Sequence, residues 1–345
     1  MTPKEGVIEA FELGIPDTVP VSLIGGGVWT ITTSGNTFDD LSRDPKKLAE
    51  VIISANDMVD GDIIYVGSGF NNFHVAALGG EIKARPVGAP DLVAPPMNNV
   101  EDLNDLDPIS LESDAVVNTI REATGMVNDA VGGRYLITAT TWGPFTFAAQ
   151  VVGIENLMTY ISTDPDFVKE VLDFSRRAIM QFYQPLLDEG VVGMISLAEP
   201  SASGELISRR HFREYAIPYI RQISKDVRKK GVYSFLHICG YISDRIEDLA
   251  QSGMDCISVD SSMDLGRAKD VLGDKMCIAG NVDPIGILAK GTREDVVSAS
   301  RRCIEEASSG GGFVLMPGCD IPPSTPLTNI RAFISTAKSW KLHRK

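Results

Sequence analysis

The chain has 345 residues, 43% of them hydrophobic and 23% charged, and a formal net charge of -14. That length can bury one large α/β core. The acidic balance, with no Lys/Arg run longer than Arg228-Lys229-Lys230, excludes the cationic footprint that nucleic acid and anionic membrane surfaces require.

Short β-branched runs alternate with longer amphipathic stretches, the pattern of βα units around a parallel sheet. The first fifteen or so residues are expected to form a helix that closes the bottom of a barrel. Eight strands are expected near residues 20–24, 62–66, 135–140, 193–198, 233–237, 256–260, 276–280 and 313–317. Several are apolar on both faces, as strands buried on both sides of a parallel sheet must be. Asp44-Pro45, Asp164-Pro165 and Thr325-Pro326 each pair an N-cap acceptor with a proline at the first helical position. Ser208 and Thr292 are further caps. The second connection is long and carries Pro86, Pro90, Pro95 and Pro96 before a helix near 114–131, so it is read as a lid or binding loop. With no internal repeat and no linker, residues 1–345 read as a single (β/α)8 TIM barrel domain with an N-terminal helical extension. A doubly wound open sheet is the alternative.

No segment reaches transmembrane length, and Met1-Thr2-Pro3-Lys4-Glu5 lacks the plan of a signal peptide. A cytoplasmic protein is expected, its five cysteines thiols or metal ligands rather than disulfides.

In such a barrel the residues at the C-terminal ends of the strands face the active site. Leu236-His237-Ile238-Cys239-Gly240 sets His237 and Cys239 two apart at one strand end, pointing the same way. Cys319, in Pro317-Gly318-Cys319-Asp320, belongs to the same mouth. Three N/S donors with an open position are the pattern of a catalytic zinc. Asp260 is either a displaceable fourth ligand or a carboxylate that only binds loop amides. Glu199, before Pro200 at the end of the fourth strand, is read as a catalytic acid–base or substrate-orienting group; its structural alternative is a cap or ion pair to the following loop. Trp29, Phe70, His74, Trp142 and Phe145 are candidate pocket walls. Cys256, Cys277 and Cys303 are assigned to the core, His211 to a helical turn and His343 to a solvated tail. Gly25–Gly27 has neither Walker nor dinucleotide spacing, and no helix start is expected directly after it.

Leu236-His237-Ile238-Cys239-Gly240, Ala279-Gly280-Asn281-Val282 and Pro317-Gly318-Cys319-Asp320-Ile321 resemble the uroporphyrinogen decarboxylase superfamily in its corrinoid methyltransferase branch, that of the methylcobamide:coenzyme M methyltransferases. Pro323 and Thr325-Pro326-Leu327 continue the likeness, and Gly143-Pro144-Phe145-Thr146 and Glu199-Pro200 share it more loosely. In that family the matching His and two Cys ligate zinc. The resemblance implies a methyltransferase working with a corrinoid (cobalamin) carried by a partner protein. True decarboxylases carry Arg-Gln-Ala-Gly-Arg near the first strand, where this chain has Ile24-Gly25-Gly26-Gly27-Val28-Trp29 and no arginine. Coenzyme M ends in a sulfonate, and none of the expected strand ends carries Arg or Lys. The charge-poor, aromatic mouth favours demethylation of an uncharged, aromatic methyl ether. A methylcobamide:thiol methyltransferase and a metal-free decarboxylase-type lyase are the alternatives.

Overall fold

Nine strands and their helices are described by a computed structural model covering residues 1–343. The strands are β1 (Ile63–Val66), β2 (Glu81–Lys83), β3 (Asp91–Ala94), β4 (Leu136–Trp142), β5 (Met194–Ala198), β6 (Tyr233–Ile238), β7 (Cys256–Val259), β8 (Cys277–Val282) and β9 (Phe313–Pro317). All but β2 and β3 form one parallel sheet in the order β1-β4-β5-β6-β7-β8-β9. Sequential parallel neighbours joined by helices are what a (β/α)8 barrel requires.

The eighth position differs from expectation. Residues 20–24 form no ladder; their one sheet-like pairing is the bridge Val21↔Leu315. Pro20 has no N–H to give, and the Val21 N–H goes to the Asp62 carboxylate at 2.8 Å instead of to a neighbouring strand. The segment still closes the cylinder. Pro20 O accepts from Leu315 N–H, Leu315 O from Ser22 N–H, and Val21 O from Asp62 N–H, at 2.8, 3.2 and 2.8 Å. It therefore joins β9 to β1 and leaves no open edge there.

Two cores follow from strand alternation. Leu236 and Ile238 of β6 point outward to the helices, while Phe235 points inward. The inner core holds Tyr65, Leu136, Met194, Phe235 and Met316 together with Val7, Ala10 and Phe11 of the helix Pro3–Phe11. That helix starts where Thr2 and Glu5 form a capping box, and it plugs the bottom of the barrel as expected. Asp44, Asp164, Ser208 and Thr292 each accept an N–H of the turn they precede. Thr325 does not: its hydroxyl turns back to Pro322 O at 2.8 Å, and the helix Leu327–Ser339 starts from Pro326 without a side-chain cap.

The long second connection is built rather than loose. It carries the helix Asn71–Ala76, the antiparallel pair β2–β3, a 3-10 turn at Val100–Asp105 and the helices Ser110–Ser113 and Ala115–Val131. Among the described residues no helix is long and apolar enough to cross a membrane.

Candidate metal centre and its cavity

Strand register places the three donors. His237, next to last in β6, pairs with Ala198 of β5, and Cys239 follows just past the strand end with the same parity. Cys319 leaves β9 after Gly318, where a Cβ would overlap the backbone of Ser261, so the turn passes tightly under the β7 loop. His237 Nε2 lies 2.9 Å from Cys239 Sγ, and Cys239 Sγ lies 3.4 Å from Cys319 Sγ. One donor atom from each of the three lies within 4.8 Å of the other two. His237 Nδ1 is 3.1 Å from Ser258 Oγ, a contact that fixes the ring and turns Nε2 toward the sulfurs. The hydrogen bond from Cys239, together with His237, draws the Cys319 thiol down to about 4. Donating to Cys319, and burial, hold Cys239 well above the usual thiol range. A divalent cation would favour the ionised form of both. An imidazole nitrogen and two sulfurs at this spacing fit zinc.

Asp260 stands outside the trio. Its oxygens accept the N–H groups of Gly240 at 3.0 Å and Ser262 at 2.8 Å. Burial raises its pKa, but these donors outweigh that and hold it below the usual carboxylate value. These two contacts are the loop-amide bonds of the second expected role.

The trio borders a cavity of about 390 Å³ at the C-terminal mouth. Trp142 lines it, its Nε1 held by Asn72 Oδ1 at 2.9 Å. Ala89, from the turn between β2 and β3, closes one side. The other expected wall residues lie behind the surface. Trp29 is buried on the helix Gly27–Thr33 and donates to Thr325 O at 2.9 Å. Phe70 packs on Phe38 and Phe73. Phe145 is fully buried in the helix Pro144–Val152. His74 is buried against Phe182, with Nδ1 2.8 Å from Thr141 Oγ1, and burial pushes its pKa down to about 3. A strand-end address alone does not say which face a side chain takes.

Glu199 is also fully buried. Its two oxygens accept the N–H groups of Phe145 at 2.9 Å and Thr146 at 2.8 Å. It therefore caps the helix Pro144–Val152 from a neighbouring strand end, and a Cβ at Gly143 would collide with it. Burial raises its pKa to about 7 against the pull of Thr146 and Phe145. Both oxygens thus make the helix cap that was the structural alternative for Glu199.

Val28, Tyr65, Asn71, Thr140, Ser196 and Asp320 also line the cavity, although none was expected there from its position in the sequence. Tyr65, Thr140 and Ser196 share the inward parity of Phe235 and His237 in their strands, a signal the register carries. Asp320 Oδ1 accepts from Gly26 and Ile321 N–H, both at 2.9 Å, and burial beside Cys319 raises its pKa to about 7. A helix does start within the glycine run, contrary to expectation, yet the Gly26 and Gly27 N–H groups are taken by Asp320 and Ser68. At Gly27 any Cβ would strike the Ser68 carbonyl.

The five cysteines are all free; Cys256, Cys277 and Cys303 are buried as expected. His211 lies on the short turn Arg209–His211, and His343 is exposed.

The chain is similar to "Methylcobamide:CoM methyltransferase MtbA" of Methanosarcina mazei, 26% identical over 346 residues that cover 99% of this chain and 98% of that protein. It is 29% identical over 255 residues to "Methylated-thiol--coenzyme M methyltransferase" of the same organism, covering 74% of this chain and 66% of that one. A solved "methyltransferase from Methanosarcina mazei" shares the fold with a TM-score of 0.83 at 24% identity, 98% of each chain being covered. The model of the uroporphyrinogen decarboxylase (URO-D) family matches residues 2–340, and the chain belongs to that family.

Proposed function

We propose that the protein is a zinc-dependent methyltransferase that moves a methyl group between a small neutral molecule and a corrinoid presented by a partner protein. The observation that carries this is the trio His237, Cys239 and Cys319, with its donor atoms within 4.8 Å of one another on the wall of the cavity. Zinc held there supplies Lewis acidity to the heteroatom that gives or takes the methyl group. The chain's own residues do the rest. Ser258 keeps Nε2 of His237 free to bind. Asn72, through Trp142 and through Pro90 O at 3.0 Å, ties the β2–β3 pair over the cavity and limits water.

Charge selects among substrates. Among the described residues no Lys or Arg lines the cavity, whereas the Asp320 carboxylate does. A sulfonate or a polycarboxylate buried there would lack compensation. That argues against a decarboxylase of carboxylated tetrapyrroles and favours demethylation of an uncharged methyl ether. Methyl transfer to a thiol is the second reading, favoured by the printed names of the relatives. Zinc analysis of purified protein decides the metal. Methyl transfer from methoxybenzenes to free cob(I)alamin, or from methylcobalamin to thiols, followed by absorbance, decides the direction. A zinc-free protein, or a zinc protein that moves no methyl group with either corrinoid, overturns the proposal.

A further inference from the structure

Most polar groups around the cavity are already matched. Asp320 Oδ1 and Ser68 Oγ accept glycine N–H groups, Asn72 joins Trp142 to Pro90, and His237 Nδ1 meets Ser258. Three side chains lining the same cavity are not. Asn71 is only 7% exposed, its Oδ1 is buried with no partner, and its amide nitrogen makes no hydrogen bond among the described residues. Thr140 and Ser196, 7% and 5% exposed, are register partners on β4 and β5, and neither hydroxyl has a partner there. Among the described residues, the Tyr65 hydroxyl, also on the lining, meets only Met316 Sδ at 3.9 Å. Buried polar groups are ordinarily paired, so such a group lining one cavity marks where a ligand supplies the missing partners.

Register gives Thr140 and Ser196 a depth, while Asn71 opens the helix Asn71–Ala76 that follows β1. Ser196 is level with Phe235, two residues below the pairing of Ala198 with His237. Two residues of strand rise about 6–7 Å, roughly the width of one six-membered ring with a substituent. The unmatched groups are uncharged, and both an amide and a hydroxyl can donate as well as accept.

We propose that Asn71, Thr140 and Ser196 form a specificity floor that holds an uncharged hydroxyl or carbonyl of the substrate, one ring's width below the methyl group at His237, Cys239 and Cys319. The methyl group then faces the mouth, the side a protein-borne corrinoid can reach. This rests on the methyl-transfer reading, so binding and turnover are measured separately.

The test uses calorimetric titration of the purified full chain with methoxybenzene, with 2-, 3- and 4-methoxyphenol and with 2-mercaptoethanesulfonate. Asn71→Leu, Thr140→Val and Ser196→Ala are titrated alongside. The wild type is expected to bind 4-methoxyphenol about tenfold more tightly than methoxybenzene, with the 2-isomer gaining least. Each variant should erase most of that preference while leaving methoxybenzene affinity and melting temperature close to wild type. Thr140→Val keeps the side-chain shape and so guards against a variant that merely misfolds. Equal binding of methoxybenzene and 4-methoxyphenol to the wild type overturns the floor, as does water-like indifference to all three substitutions. Tightest binding of the sulfonate, or no binding of any ring compound, overturns it too. Selective binding without methyl transfer to cob(I)alamin would leave the floor standing and remove the methyl-transfer reading. Transfer from methoxybenzene as fast as from 4-methoxyphenol would do the reverse.

Discussion

At the bottom of the barrel, Val7, Ala10 and Phe11 fill the space beneath Tyr65, Phe235 and Met316, and Phe11 meets the Tyr233 ring edge-on with centroids 5.6 Å apart. At the mouth, a few strand residues higher, the same parity brings an imidazole, two sulfurs and unmatched hydroxyls around a cavity. The bottom is packed by apolar side chains of the chain itself, whereas hydroxyls at the mouth have no partner among the described residues. The inner face of β6 shows the switch in one strand, with Phe235 in the plug and His237 in the site. Stability is therefore concentrated below and chemistry above, and substitutions at the two ends should separate cleanly.

The largest effect is expected from Cys319→Ala. Loss of an outer partner of a metal ligand costs about 10–100-fold in metal affinity or activity, so loss of the ligand itself should exceed that. Zinc content and methyl transfer should vanish together, while the melting temperature measured with chelator present stays near that of chelated wild type. A variant retaining zinc and turnover would remove Cys319 from the centre.

Phe235→Ala tests the other end. The ring is fully buried and faces Tyr65 at a centroid distance of 6.1 Å, so its removal should cost about 3–5 kcal/mol of stability. Denaturant unfolding should show this, while zinc bound per folded molecule stays unchanged. If metal content fell in proportion to stability, the two ends would be one cooperative site and the contrast would fail.

Glu199→Gln probes the border between the two. The side chain spans from β5 to the next helix over, and both oxygens are used by backbone donors. Gln keeps one acceptor and turns an NH₂ toward the other N–H. A loss of about 1–3 kcal/mol is expected, with zinc content and turnover per folded molecule within a few-fold of wild type. A hundredfold fall in turnover at unchanged melting temperature would instead assign Glu199 the acid–base role.

These residues also show what could be read from the chain alone. The β-branched runs and the Asp44-Pro45 and Asp164-Pro165 caps located the barrel because each acts locally, through periodicity and first-turn geometry. His237 and Cys239 were legible because a spacing of two at a strand end fixes a common direction. The first strand was not, since Pro20 and the side chain of Asp62 divert its hydrogen bonds, and that depends on a partner 41 residues away. The aromatics misled for a related reason: Trp29, Phe70 and Phe145 sit on helices or turns just beyond the strands, where tertiary packing decides which face is buried. The inward hydroxyls of Thr140 and Ser196 were readable in principle, by extending the parity of His237 across the register.

The smallest expected effect sharpens the comparison at its one charged exception. Asp62, at the bottom where β1 begins, accepts the Val21 N–H at 2.8 Å and lies 3.3 Å from Lys338. Burial raises its pKa from 3.8 to about 6, with Lys338 and Val21 pulling the other way. The folded state therefore binds this proton more tightly than the unfolded chain does. Its contribution is fully present below pH 3.8 and is lost as pH rises through about 6. Asp62→Asn keeps an acceptor for Val21 and removes the titration, while Lys338 retains Asp60 as a partner. Relative to wild type, the variant should gain stability between about pH 4 and pH 7, on the order of 1 kcal/mol. Melting temperatures of both proteins across that range, with zinc held constant, supply the measurement. Parallel curves would mean that Asp62 stays ionised throughout, and that the bottom of the barrel tolerates a buried carboxylate as readily as the mouth does.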